Sequence, residues 1–386
     1  MAALAGGGLL SPGQPPRAFP APEWRLGRAT VIVPRDGPDA IQRFGPMVIS
    51  AEGAIYVADL AEARIGVFDS LGRRMTWIGR RGRGPGEFLD IRSLGFSGDS
   101  LWVYDPAQLR ITFWSLTGKL RTSVSQDRFT HGRVASDYRV HGLMKGGAAL
   151  VAQTRRPPTA PDRGVDPLVF ELIHGANGTP DTLLVADMSH DLAYLWVAAG
   201  PVGTQYQPFR DGPLSGPSPE GDVYVVVHRE APRRGQSGQI RVLRTTFPDR
   251  RVSRQTIEFT PSRVPPGTVD SLLQSFAGHL VAMRIYPNTQ AAIRELRRRV
   301  FLPGWYPPIS DARLDREGRL WLADPAISDR SGRQPTRWSV YAVDGRLLGV
   351  VSLPAQTVLL TAYRKNLFVL QADSEERDAL VRFQIE

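Results

Sequence analysis

Two stretches of this chain align without a gap at a spacing of 46 residues. The first reads Gly53-Ala-Ile-Tyr-Val-Ala-Asp59 followed by Arg64-Ile-Gly-Val-Phe-Asp69-Ser-Leu-Gly72. The second reads Asp99-Ser-Leu-Trp-Val-Tyr-Asp105 followed by Arg110-Ile-Thr-Phe-Trp-Ser-Leu-Thr-Gly118. A third copy, Gly318-Arg-Leu-Trp-Leu-Ala-Asp324 then Trp338-Ser-Val-Tyr-Ala-Val-Asp344-Gly345, has a longer loop between its halves. Short runs rich in Val, Ile, Tyr, Trp and Phe have strand chemistry. Glu52-Gly53, Leu71-Gly72 and Asp344-Gly345 are turns, where glycine supplies positive φ. A strand-turn-strand-loop-strand-turn-strand unit of this length is a four-stranded blade, and a period of roughly 40–50 residues is that of a propeller.

Weaker copies fill the rest. Gly146–Gln153 with Leu168–Ile173, Gly221–Val227 with Gln239–Leu243, and Asn366–Gln371 with Leu380–Ile385 bring the count to six. The blades fall at about 43–80, 90–126, 138–188, 213–260, 305–354 and 355–386. The last is one strand short; Thr30-Val-Ile-Val33 is expected to supply it and close the ring, which protects sheet edges. Segment 189–212 is too short to hold a seventh blade. The expected fold is thus all-β, one six-bladed β-propeller over 24–386, preceded by a disordered tail or signal remnant over 1–23.

Residues 268–300 break the pattern. Val269, Leu272, Leu273, Phe276 and Leu280 recur at helical spacing after Thr268, a candidate cap; Pro287 ends that helix. Thr289–Arg299 starts another, with Ile293, Leu296 and Val300 opposite arginines. This predicts a helical insertion between blades four and five, lying across one face of the disc.

The repeats, with the loop Gly82-Arg-Gly84-Pro-Gly86-Glu-Phe88, resemble NHL-type and TolB-like six-bladed propellers, and a bacterial propeller group with similar Gly-Pro-Gly-Glu-Phe loops. The resemblance spans 43–126 and 305–350. It implies the fold and leaves the activity open. Members of that group look mostly exported or lipid-anchored, which tilts the compartment toward the periplasm or the outside. This chain has no cysteine for an anchor. The lack of cysteine also excludes disulfides, thiolate metal sites and thiol nucleophiles.

Charge is the other constraint. The net charge is +10, and of 48 basic residues only Lys119, Lys145 and Lys365 are lysine. Runs at Arg80-Arg81, Arg233-Arg234, Arg250-Arg251 and Arg297-Arg298-Arg299 are scattered, which reads as a solvated surface more than as a nucleic-acid face. No stretch reaches the length of a transmembrane helix.

The expected site gathers at the channel mouth from loops between blades: Arg80, Arg81, Glu87, Phe88, Asp90, Arg92, Arg139, His141, Trp305, Tyr306 and Asp311. Gly79–Gly86 looks like a phosphate cradle but lacks the third glycine of G-x-G-x-x-G, so it reads first as a blade-to-blade connection. Asp59 with Arg64, and Asp105 with Arg110, recur in register and read as structural clamps. The histidines, His131 and His141 among them, form no H-x-H or H-E-x-x-H pair. There is no G-x-S-x-G elbow. Asn177-Gly-Thr179 is a turn. These readings favour a non-catalytic propeller without cofactor or metal, binding a protein segment, a glycan or an anionic small molecule in a basic, aromatic-edged cleft. The alternatives are a metal-dependent lactonase- or lyase-like enzyme holding Ca2+, and an NHL-type RNA-binding propeller.

Overall fold

A computed structural model describes residues 21–130, 138–154, 167–174, 180–197, 200–207, 209–232, 238–325 and 335–386. Most of the tail, His131, Asn177-Gly-Thr179 and Arg233-Arg234 lie outside the described residues.

Six antiparallel four-stranded sheets follow one another along the chain. Blade 1 is Phe44–Ile49, Ile55–Asp59, Arg64–Phe68 and Arg74–Ile78; blade 2 is Ser93–Ser97, Ser100–Asp105, Arg110–Ser115 and Leu120–Ser125. Blade 3 is Tyr138–Leu143, Ala148–Thr154, Leu168–His174 and Asp181–Ala186; blade 4 is Leu214–Pro217, Val223–His228, Gly238–Thr246 and Arg251–Phe259. Blade 5 is Ala312–Leu314, Leu320–Ala323, Thr336–Tyr341 and Leu347–Leu353. Blade 6 is Thr357–Tyr363, Asn366–Ala372 and Asp378–Ile385, completed by Leu26–Val33. The N-terminal strand therefore closes the ring as expected, pairing Thr30 with Arg382 and Val31 with Val381. The first strand of each blade neighbours that of the next, and blade 6 returns to blade 1, so six first strands surround one channel.

The core is arranged between blades. Each sheet buries both faces against its two neighbours, which is why the second strands, such as Ile55–Asp59 and Ser100–Asp105, are buried along their whole length. One apolar cluster fills each of the six junctions. Between blades 1 and 2, for example, Tyr56, Ile65, Leu101 and Trp114 pack together; between blades 6 and 1, Ile32, Val33, Phe68 and Leu380 do. The outer hairpins repeat as well: Gly72 and Gly118, 46 residues apart, both sit at positive φ (83° and 91°), where a side chain would strain the turn.

Strand alternation fixes two faces for the disc. Turns after the first and third strands of each blade lie on one face, called here the turn face. The remaining loops and the blade-to-blade connections lie on the linker face.

Three features depart from the sequence reading. Glu23–Trp24 forms a fifth, parallel strand on blade 5, with Pro22 accepting from Val350 N–H; Gly349 leaves room for the Trp24 ring. Residues Leu192–Val197 and Gly200–Tyr206 form a two-stranded hairpin between blades 3 and 4. The insertion helices are Pro266–Ala282 and Thr289–Arg299, but the first is preceded by Pro265 without a side-chain cap, and Thr268 lies inside its first turn. Asn288 caps the second, its side chain accepting from Ala291 N–H at 2.9 Å. The helices pack on each other through Leu273, Ala277, Leu280, Ala292 and Leu296, a small core of their own. The second also touches the Leu192–Val197 strand. Among the described residues no helix is long and apolar enough to cross a membrane.

Candidate functional site: the axial channel

The Gly-rich loop after blade 1 is occupied by its own anion. Glu87 folds back so that its carboxylate accepts Gly84 N–H and the Arg80 guanidinium, each at 2.8 Å. A Cβ at Gly82 would collide with that carboxylate. These bonds hold the Glu87 carboxyl below its ordinary pKa, Gly84 N–H contributing most and Arg80 next. The side chain that takes the third-glycine position thus neutralises the cradle. Arg81 donates to the Ala61 carbonyl. Phe88 is fully buried against Trp114, so it presents no surface to a ligand, a correction to its expected role.

The recurring aspartates hydrogen-bond loop backbone, each in its own way. Asp59 accepts Ala61 N–H at 3.1 Å and stands 3.8 Å from Arg64, whose guanidinium lies over the Trp77 ring. Asp105 accepts Leu89 N–H at 2.8 Å and Gln108 N–H at 3.1 Å. Its partner by spacing, Arg110, reaches elsewhere, donating to the Gly84 and Glu87 carbonyls. The second pair is therefore not an ion pair; both members pin the linker loop to blade 2.

The other expected residues divide by position. In a strand, residues two apart share a face. Arg92, Arg139 and Asp311 stand at the starts of first strands, outside the lining, whereas Leu94, His141 and Arg313, two residues further on, line an axial cavity of about 360 Å³. Its other walls include Trp102, Leu214, Pro217 and Leu360. Bulges help to form it. The pairing of blade 3 slips between Val140 and Gly142, leaving His141 as the extra residue; the same slip in blade 6 frees Leu360. A bulge re-aims the side chain it carries, here into the channel. Ser93 Oγ donates to the Val140 carbonyl at 2.9 Å and locks blades 2 and 3 together beside it.

His141 meets channel water but lies deep in the disc, with its ring edge-on to Phe170 at 5.3 Å. Burial, then Arg139 and Arg92, pull its pKa from the ordinary 6.5 down to about 4. The ring is neutral at physiological pH. As pH falls, the unfolded chain takes up this proton before the folded one. The contribution of His141 to stability is therefore complete above about pH 6.5 and is lost as pH falls toward 4. An NMR titration should place the His141 midpoint near 4; a midpoint near 6.5 would mean that the ring is fully hydrated.

The carboxylates expected at the site are engaged: Asp90 lies 3.5 Å from Arg92 and Asp311 lies 2.7 Å from Arg313. Arg139 has no ion-pair or hydrogen-bond partner among the described residues. Trp305 and Tyr306 are elsewhere, in the chain returning from the helices. Tyr306 is buried against Phe209, and Trp305 is half-buried beneath the Arg263 guanidinium. Both stand at the base of the insertion, where Trp305 bridges to Arg263 and Tyr306 N–H donates to Ser262 O. Among the described residues no three His, Asp or Glu side chains gather as a metal-binding group.

One end of the channel is plugged by residues that sequence reasoning missed. The first turn of blade 4 reaches past blade 3 to blade 2, where the Pro219 carbonyl accepts Phe96 N–H at 2.8 Å; Gly221 O accepts Lys145 N–H at 2.7 Å. From blade 5, Arg316 crosses the same end. It donates to Ile49 O of blade 1 at 2.7 Å, pairs with Glu220 of blade 4 and lies over Phe96 of blade 2. Asp315-Arg316-Glu317-Gly318 reads as an ordinary charged turn, so nothing in the pattern marks Arg316 as a crossbar. Beyond the plug, on the turn face, a larger cleft of about 790 Å³ runs along blades 2 and 3.

Residues 45–132 match the model of the DUF5128 family, described as a 6-bladed beta-propeller. No curated protein matches the chain. A DUF4221-family protein from Bacteroides vulgatus is 11% identical, with 94% of this chain and 97% of that one covered at a TM-score of 0.51. A Bacteroides fragilis protein provisionally described as exported has the same identity, with 94% and 95% covered at a TM-score of 0.46. A virginiamycin B lyase from Staphylococcus aureus is 10% identical, with 94% and 99% covered at 0.41. The chain is a six-bladed β-propeller, similar over its first two blades to the DUF5128 propellers.

Proposed function

We propose that the protein is a non-catalytic binding propeller whose axial channel takes a small anionic ligand. One observation supports this reading: Arg139, close enough to His141 to lower its pKa, has no partner among the described residues, while the nearby strand-start carboxylates Asp90 and Asp311 are paired with Arg92 and Arg313. A carboxylate or phosphate would accept from Arg139, and the neutral ring of His141 offers one more donor or acceptor. Trp102, Leu214, Pro217 and Leu360 would hold an apolar body. The volume lies in the lower range of small-molecule sites, roughly 300–1,000 Å³.

The test is calorimetry with a panel of mono- and dicarboxylates and sugar phosphates. A charge-assisted hydrogen bond is worth about 1.5–3 kcal/mol, so Arg139→Ala should weaken the best anion by roughly ten- to a hundredfold. Unchanged affinity in that variant, or no anion bound by the native chain, would overturn the reading.

A further inference from the structure

The turn-face cleft is a second, chemically different cavity. It runs from the first turns of blade 1 (Ser50, Ala51, Glu52), blade 4 (Glu220) and blade 5 (Arg316) outward between blades 2 and 3, as far as Arg128 on the blade-to-blade connection. Phe96, Phe113 and Val124 of blade 2 and Leu143 and Met144 of blade 3 give it an apolar wall. The junction core inside it, built on Trp102, Tyr104, Ile111, Val140, Val151 and Ile173, leaves Phe113, Val124 and Leu143 only partly covered. At about 790 Å³ it is twice the size of the channel cavity.

Its charges are unequal, and they include one exposed carboxylate, Glu52, at the end that Arg316 occupies. Arg316 is committed to Glu220 and Ile49 O, and Lys145 lies 3.6 Å from Asp222. Arg128, on the short helical turn Asp127–Thr130 that follows the outer strand of blade 2, lines the same cleft. It is exposed and has no ion-pair or hydrogen-bond partner among the described residues. Sulfonates and carboxylates bind guanidinium through charge-assisted hydrogen bonds, and the rest of such a molecule gains by leaving water for the apolar surface of Phe113 and Leu143.

From this arrangement we infer that the wedge between blades 2 and 3 binds an amphipathic acid, an apolar chain or ring system with a single anionic head placed at Arg128. The site is independent of the channel: Arg139 and His141 lie outside its lining, and the Pro219 and Arg316 crossbars separate the two cavities.

The experiment uses 1-anilinonaphthalene-8-sulfonate as a fluorescent probe on the folded chain, with dodecanoate and dodecanol as competitors. The native protein should bind the probe at one saturable site from which dodecanoate displaces it. Arg128→Glu replaces an exposed side chain and should leave the melting temperature in place. It should weaken dodecanoate at least tenfold and change dodecanol little. Arg139→Ala should leave both affinities unaltered. The inference is overturned if dodecanoate does not displace the probe, if Arg128→Glu binds dodecanoate as the native chain does, or if Arg139→Ala abolishes its binding. That last result would assign the acid to the channel instead.

Discussion

A chain lacking residues 21–33 should lose its single cooperative unfolding transition and expose dye-binding apolar surface. The strand Leu26–Val33 is the outer edge of blade 6, and it is the only strand of that blade drawn from the other end of the chain. Ile32 and Val33 are 1% and 0% exposed. Burying one such side chain is worth about 1.5–3 kcal/mol, so the pair alone supplies about 3–6 kcal/mol, a large share of the roughly 5–15 kcal/mol that keeps a domain folded. The backbone ladder to Asp378–Ile385 is lost with them, and an unpaired edge is left open to association. The milder variant Ile32→Ala should cost about 2–5 kcal/mol in urea denaturation. If the truncated chain melted within a few degrees of the intact one, closure by this strand would have no energetic importance.

Asp315→Ala should be the most damaging single change on the turn face. Asp315 is 1% exposed, and its carboxylate accepts from Trp321 Nε1 at 2.7 Å, from Arg319 Nε at 2.6 Å and from Arg319 N–H at 2.8 Å. Trp321 is fully buried, so its indole N–H has no water to turn to. Close by, the buried guanidinium of Arg244 donates to Gly318 O at 2.7 Å, in the same turn. Removing one side of a buried charged network costs about 3–5 kcal/mol because the remaining groups are stranded. Asp315→Asn keeps an acceptor and should lose less. A shift below about 1 kcal/mol for the alanine variant would show that Trp321 and Arg319 find other partners.

The architecture was legible because a blade is a local unit. The 46-residue register of Asp59 with Asp105 and of Gly72 with Gly118 reports four strands and their turns, and the short sixth blade called for Thr30–Val33. The helices were readable from Leu273, Leu280 and Leu296 at helical spacing. The hairpin at 192–206 was passed over because its runs are too short for a blade, although Leu-Ala-Tyr-Leu-Trp-Val has plain strand composition. The site was far less legible. Whether an arginine is available depends on what sits beside it in space. Arg80 is answered by Glu87 seven residues on, whereas Arg316 is answered by Glu220 from another blade and Arg139 by nothing described. The sequence pattern picked out Arg92, Arg139, His141 and Asp311 as inner-strand starts, and of these His141 lines the cavity. It could not show that Phe88 turns inward or that Trp305 and Tyr306 stand at the base of the insertion, away from the channel.

The crossbar formed by Pro219, Arg316 and Glu220 makes the channel a cul-de-sac. A ligand of the proposed channel site would have to depart by the route it took inward, so a second molecule could not push it out from behind. Exchange at that proposed site would then depend on release at the linker face, and competitors arriving by that route should exclude each other outright.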